Sequence, residues 1–363
     1  MNVSKIGTKE AIYLVLIITI AHSILSMPKY LIDSVKSSII LNLVFVFIVL
    51  LCLCLLIVKL FKNFPGMDIL DVSEYLSGKH FKRILGTIFI TYFILSISVL
   101  LREFCDALEI VYYPMTDITF LVILFTIVVA ITGRLEFSAS IKANLIVVPL
   151  VLFSMVFLFF ANIKNYSSTF IFPILGNGFY NTFILGLGNI YAFSGIFILY
   201  FLPPLIKKPE DFKKITVISL IIFAIYILLT VLIILFTFSF FVSENEILPL
   251  YAAARYIELG TFFVRLESIF LLIWIFAFAC YLSVVVRFAM ITFKKITNIK
   301  ETKPLAYPFA ILTFAIAMIP DTYAQSKQFE NIFYPYFSVA FLYIFCFLLL
   351  VFASLKRRKD RKE

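Results

Sequence analysis

Polar and small side chains interrupt two otherwise apolar segments of this chain. Ala21, His22 and Ser23 sit inside the run from Ile12 to Leu31, and Asn189, Tyr191, Phe193, Ser194 and Gly195 sit inside the run from Phe183 to Pro204. Proline closes each run, at Pro28 and at Pro203–Pro204. Backbone N–H and C=O groups cannot go unpaired in hydrocarbon, so irregular backbone at membrane depth is confined to places where it lines a cavity or binds something. A half-helix beginning after a break offers free N–H groups to a carboxylate, and one ending at a break offers carbonyls to an ammonium or cation. A zwitterionic amino acid satisfies both ends. Interrupted helices at corresponding places in two halves are the sequence pattern of a transporter-type site at the bilayer midplane.

Each residue also has a blander reading. Gly176, Gly178, Gly186, Gly188 and Gly195 either let the chain unwind or let neighbouring helices approach closely. Asn189 and the double proline favour unwinding, because packing alone needs neither. His22 either lines a site or is a satisfied interior residue. Tyr92 and Ser96, one helical turn apart, are further pocket candidates. Arg102, Asp106 and Glu109 share a helical face at i, i+4 and i+7, with Glu103 beside it, as a partly solvated ion cluster or an external gate. Arg265 and Glu267 are two apart and do not face each other on a helix, whereas Glu267, Trp274 and Tyr281 form a stripe at spacing seven, as interface anchors or as a lock. Arg287 reads as a snorkelling cation.

No phosphate-binding loop, H-E-x-x-H or G-x-S-x-G pattern is present, so nothing enzymatic is expected. Cys52, Cys54, Cys105, Cys280 and Cys346 follow neither disulfide nor zinc spacing. The reading therefore includes no catalytic residue, metal or cofactor.

The elements that must position these residues are membrane helices. Hydrophobic residues make up 63% of the chain and charged residues 14%, with a mean hydropathy of +1.08. That composition belongs to an integral membrane protein. Continuous apolar runs predict an all-α polytopic protein with about ten spans, at 11–32, 38–61, 84–104, 118–132, 141–162, 180–205, 215–241, 262–292, 305–319 and 333–355. Lys and Arg crowd the even-numbered loops and both ends, which predicts cytoplasmic termini. The basic stretch 356–363 reads as a cytoplasmic tail flanking the last span, with no nucleic-acid partner. Residues 1–355 are expected to form one transmembrane domain of two inverted halves of five spans. The first repeat covers about 9–162 and the second about 180–319, with 333–355 in the second-half scaffold.

The stretch FFVRLESIFLLIWIFAF, Phe262 to Phe278, carries the most specific resemblance. Supporting it are FLPPLIKKPEDFKK from Phe201 to Lys214, the charged end of span 3, and IPDTYAQ from Ile319 to Gln325. Together they resemble the endospore germination permease family, the B subunits of nutrient germinant receptors, within the amino acid–polyamine–organocation transporter superfamily. The resemblance implies a LeuT-like fold with broken helices 1 and 6, in the inner membrane of the spore. It implies an amino acid nutrient as ligand, and A-type and C-type receptor subunits as partners. Carried over residue by residue, it places the ligand against Ala21, His22, Ser23, Tyr92, Tyr191, Phe193, Ser194, Gly195, Phe278 and Tyr281. Ala21 and Ser23 stand where that family has glycine, which narrows the first break. An autonomous proton- or sodium-coupled amino acid permease is the competing expectation.

Overall fold

A computed structural model describes residues 5–23, 25, 27–238, 242, 246–257 and 266–360. Among them every regular element is helical, and one isolated bridge pairs Ile6 with Ile206. Seven helices are long and apolar enough to cross a membrane: Met27–Phe61, Ile69–Val111, Phe137–Ala161, Tyr180–Tyr200, Pro209–Thr237, Glu267–Thr297 and Tyr323–Asp360. The difference from ten is a matter of length. Ile118–Arg134 and Ala306–Ala317, where spans 4 and 9 are expected, have 17 and 12 residues. At 1.5 Å per residue they reach about 26 and 18 Å, short of the roughly 30 Å hydrocarbon core. The first expected span is divided between Thr8–Ser23, called 1a below, and Met27–Val35, called 1b.

Helix 1a is apolar around its whole circumference, and apart from Tyr13 every residue from Ala11 to Ser23 is buried. A helix of that kind has to be enclosed by protein or lipid. Here protein encloses it, for spans 5, 6, 7 and 8 pack around it. Exposed apolar side chains such as Ile48 on span 2, Phe120 on span 4, and Ile146 and Phe153 on span 5 cover the outer faces of the bundle.

Span 3 is far longer than its apolar run. Its helix starts at Ile69 because Asp68 caps it, accepting from the Leu70 and Asp71 amides at 3.0 Å each while Asp71 accepts from the Asp68 amide at 3.3 Å. The polar stretch 63–83, legible only as a loop, is therefore largely helical. Gly78 bends it at φ +82°, a left-handed conformation that side chains rarely adopt. Lys295 from span 8 bridges Asp68 at 2.6 Å and Asp71 at 2.5 Å, tying the start of span 3 to the end of span 8.

The basic tail is not separate from the fold. Helix Cys346–Asp360 runs through it, and Lys356 donates to the Tyr75 and Leu76 carbonyls at 3.1 Å each. Arg357 lies over the Phe64 ring at 4.9 Å, and Tyr75 donates to Asp360. Charge alone read 356–363 as a flank; the Tyr75 and Leu76 carbonyls and the Phe64 and Tyr75 side chains hold Lys356, Arg357 and Asp360 in place.

Candidate functional site

Span 6 is not a regular α-helix. Tyr180–Ile184 winds as a π-helix and Leu185–Tyr200 as a 3-10 helix, with Phe193 at φ −97°, ψ 15°. Such winding leaves carbonyls that need partners away from water. Asn42 on span 2 supplies them, donating to the Thr182 carbonyl at 2.8 Å and the Gly186 carbonyl at 2.9 Å. Asn189 donates to the Asn42 side-chain oxygen at 2.8 Å and to Ser34 of helix 1b at 2.9 Å. Asn189 is thus a structural tie between helix 1b, span 2 and span 6.

Below this lacing, side chains from five segments converge. His22 is 3% exposed, and among the described residues neither ring nitrogen has a hydrogen-bond partner. Its ring meets the Tyr281 ring edge-on at 5.1 Å and the Tyr334 ring at 4.8 Å. The Tyr92 hydroxyl faces Ser96, Ser194 and Ser338. None of those four hydroxyls reaches hydrogen-bond geometry, and the Tyr281 hydroxyl is also unpaired. A histidine and five hydroxyl groups are therefore gathered, buried and unpartnered, where helix 1a, span 3, span 6, span 8 and span 10 meet. Leaving a buried polar group unpaired costs about 1–3 kcal/mol. A small ligand with donors and acceptors would recover part of that cost.

His22, Tyr92, Ser194 and Tyr281 are thus brought together, and the other expected ligand residues lie around or outside them. Ala21 is buried on helix 1a. Ser23 donates to the Ile20 carbonyl at 2.8 Å, so its hydroxyl proton is spent on its own helix. Phe193 turns toward span 7, its ring 5.0 Å from that of Phe223. Phe278 stacks on Phe104 at 4.3 Å and meets Phe125 at 5.3 Å, filling the seam toward spans 3 and 4. Tyr191 is half-buried and faces Tyr30, Asp33, Glu103 and Glu330.

Gly195 lies where helix 1a and span 6 touch. A Cβ there would come within 2.7 Å of the Thr19 Cα and 2.8 Å of its amide nitrogen. Close helix approach explains this glycine. Gly195→Ala is expected to lower stability by about 1–3 kcal/mol through overpacking against backbone that cannot yield. Gly188→Ala, which meets nothing within 4 Å, is the matched control. Thermal unfolding of both variants in detergent measures the difference.

The outer ion cluster differs from its expected form. Arg102, Glu103 and Asp106 are 4%, 2% and 2% exposed, so the group is buried and not partly solvated. Arg102 pairs with Asp106 at 2.9 Å and donates to the Ala317 and Pro320 carbonyls at 3.3 and 2.6 Å, holding the end of span 9. Glu109 shares the helical face but joins no ion pair among the described residues. Glu103 pairs with Lys327 at 3.0 Å, and Lys327 with Glu330 at 2.8 Å. The Lys327 ammonium also lies over the rings of Tyr323 at 5.4 Å and Tyr30 at 5.9 Å.

On span 8, Trp274 lines a small apolar gap with Leu25, Phe104 and Tyr251, and Glu267 faces the Tyr112 hydroxyl. Arg265 lies outside the described residues. Sequence reasoning missed Asn42, Lys327, Glu330, Tyr334 and Ser338. The i, i+3 spacing of Lys327 and Glu330 was the available signal, hidden because hydropathy left 320–332 as a loop.

Comparisons with known proteins bear on the family and the fold. Residues 5–326 match the family model Spore_permease, described as spore germination protein. Among solved structures the chain is similar to a mutant of the manganese transporter of Eremococcus coleocola. The match has a TM-score of 0.52 and 16% identity, over 95% of this chain and 76% of that one. At that identity the likeness concerns fold alone, a LeuT-like transporter architecture. No curated protein matches the chain.

Proposed function

This chain belongs to the spore permease family of spore germination proteins, and on that footing we propose that it is the membrane subunit of a nutrient germinant receptor. The ligand is a small amino acid, held at the centre of the bundle by His22, Tyr92, Ser194 and Tyr281, with Tyr334 and Ser338 completing the lining. The observation that carries this reading is the convergence of an unpaired imidazole and five unpaired hydroxyls at the meeting point of helix 1a and spans 3, 6, 8 and 10. Uncharged donors and acceptors of this kind suit the carboxylate and ammonium of a zwitterion without adding a net charge that only one end would match.

Sensing requires the nutrient to bind one arrangement of the helices more tightly than another, since equal affinity shifts no population. The elements that would move share the site: helix 1a and span 6 touch at Thr19 and Gly195. A-type and C-type receptor subunits would convert the shift into germination, with the chain in the spore inner membrane and both termini cytoplasmic. Manganese, the cargo of the similar transporter, is not carried over. Among the described residues no three His, Cys, Asp or Glu side chains gather as a metal site.

The transporter architecture gives the second reading, a proton- or sodium-coupled amino acid permease, its own support. Purified chain in liposomes, exposed to a panel of labelled amino acids, separates the two. Binding without uptake is expected of the receptor subunit, and saturable uptake driven by an ion gradient would overturn it in favour of the permease. Tyr92→Phe is expected to weaken amino acid binding about 2- to 13-fold, the worth of one hydrogen bond of about 0.5–1.5 kcal/mol. Unchanged affinity in that variant would place the ligand elsewhere.

A further inference from the structure

A cavity of about 1180 Å³ opens between the residues that precede helix 1a, the ends of spans 6 and 8, and the loops between spans 4 and 5 and between spans 8 and 9. It lies at the far end of helix 1a from His22, about 21 Å away at 1.5 Å per residue from Thr8. Its walls are strongly cationic. Lys5, Lys82, Arg287, Lys294, Lys295 and Lys303 line it, against two carboxylates, Asp68 and Glu136. Lys82 and Lys295 are already committed to the Asp68, Asp71 and Glu74 cluster. Arg287, Lys294 and Lys303 are left with little anionic partnership. Among the described residues Lys294 donates to the Lys300 carbonyl, at 2.9 Å, and joins no ion pair.

Arg287 is the decisive residue. It is 4% exposed, and its Nε and Nη2 atoms are buried without a hydrogen-bond partner among the described residues. Glu136 is the carboxylate that faces it, without forming an ion pair, and Glu136 is itself exposed. One turn deeper on span 8, Ser283 is occupied with Ser140 at 2.6 Å and offers Arg287 nothing. A guanidinium stays charged in any protein environment, and burying it unpaired is strongly unfavourable. Nε together with one Nη forms the planar fork that carboxylates and phosphates accept bidentately; here that fork is turned away from water, so bidentate binding requires the guanidinium to swing toward the cavity it lines. A snorkelling cation extends toward water, whereas this side chain is buried and lines a cavity. Additional lysines at the rim of a concave site concentrate positive potential there, which favours an anion of more than one charge.

We propose that this cavity is a binding site for a phosphate-bearing anion, with Arg287 as the deep bidentate donor and Lys294 and Lys303 at the rim. The site is separate from the central one and does not depend on the identity of the nutrient. A free phosphate compound and the headgroup of an acidic phospholipid share the chemistry it selects.

The test uses the full chain in phosphatidylcholine nanodiscs, with thermal unfolding followed as inorganic phosphate or pyrophosphate replaces chloride at constant ionic strength. A saturable rise in Tm is expected, with pyrophosphate acting at lower concentration than phosphate. Arg287→Gln should weaken the apparent affinity at least tenfold. Arg134→Gln, an exposed arginine bonded to Tyr307 outside the cavity, should respond as the parent does. Discs containing phosphatidylglycerol distinguish the sources. A lipid headgroup raises Tm before any phosphate is added and blunts the later response, whereas a free phosphate compound leaves the response independent of lipid. The same response in the parent and Arg287→Gln, or no response to phosphate in either kind of disc, overturns the proposal. Should Arg287→Gln fail to fold, Lys294→Gln combined with Lys303→Gln is expected to weaken affinity about threefold, and no change there overturns it equally.

Discussion

Lys327→Met is expected to lower folding stability by about 3–5 kcal/mol, the cost of breaking a buried ion pair from one side. The ammonium lies 3.0 Å from Glu103 and 2.8 Å from Glu330, and these three side chains are 10%, 3% and 8% exposed. Removing the cation leaves two carboxylates beside each other in a medium that screens them poorly. The variant loses attraction and gains repulsion together. Thermal unfolding in detergent measures the loss. Adding Glu103→Gln and Glu330→Gln to Lys327→Met should return most of the stability, because the cost lies in the unmatched charges and not in the ammonium itself. Failure of the triple variant to recover would show that the lysine stem and its aromatic neighbours carry the stability. The triad joins span 3 to the start of span 10, so the single substitution also tests whether that joint has to be closed for the protein to bind its ligand.

Asn42→Leu is expected to be nearly as damaging. One side chain closes the Thr182 and Gly186 carbonyls and accepts from Asn189. The two carbonyls lose this donor in an apolar surrounding, at about 1–3 kcal/mol apiece, while Asn189 keeps its bond to Ser34. Gly186 adds a steric element, since the Asn42 side-chain nitrogen lies 2.3 Å from where a Cβ would stand on that glycine. The expected result is a large drop in the thermal midpoint, with Val44→Ala on the exposed face of the same helix close to neutral. A small effect from Asn42→Leu would mean that span 6 can rewind into a regular helix and satisfy its own carbonyls. Its π and 3-10 winding would then not be required by the fold.

What could be read before any coordinates were known follows a clear physical division. Membrane residence, the helical class and the positions of most apolar spans come from composition and run length, because burial in lipid is a property of each segment by itself. The interruptions at His22 and at Asn189–Gly195 were legible for the same reason: a polar or small residue in an apolar run stands out locally. Its role was not legible. Asn189 and Gly195 carry the same signal as Ser194, yet Asn189 laces helices together, Gly195 permits close approach, and Ser194 faces the unpaired cluster. Local pattern also failed for two cations whose surroundings are set by distant segments. Arg287 looked like a snorkelling side chain, and Lys327 sat in a stretch assigned to a loop.

The sequence by itself determined that this chain is a helical membrane protein, roughly where most of its apolar segments lie, and which two of them are interrupted, but not that spans 3 and 10 start well before their apolar runs. Only the tertiary structure decided that Glu103 meets Lys327, that Asn42 closes the carbonyls of span 6, that His22 lies among the rings of Tyr281 and Tyr334, and that Arg287 is buried against a cavity. Hydrophobicity is additive along a segment and can be summed from residue types. Each of these pairings joins residues 140 to more than 300 positions apart, or brings a side chain to a cavity wall built from several segments. Such meetings are fixed by how whole helices cross and pack, which no local run of residues encodes.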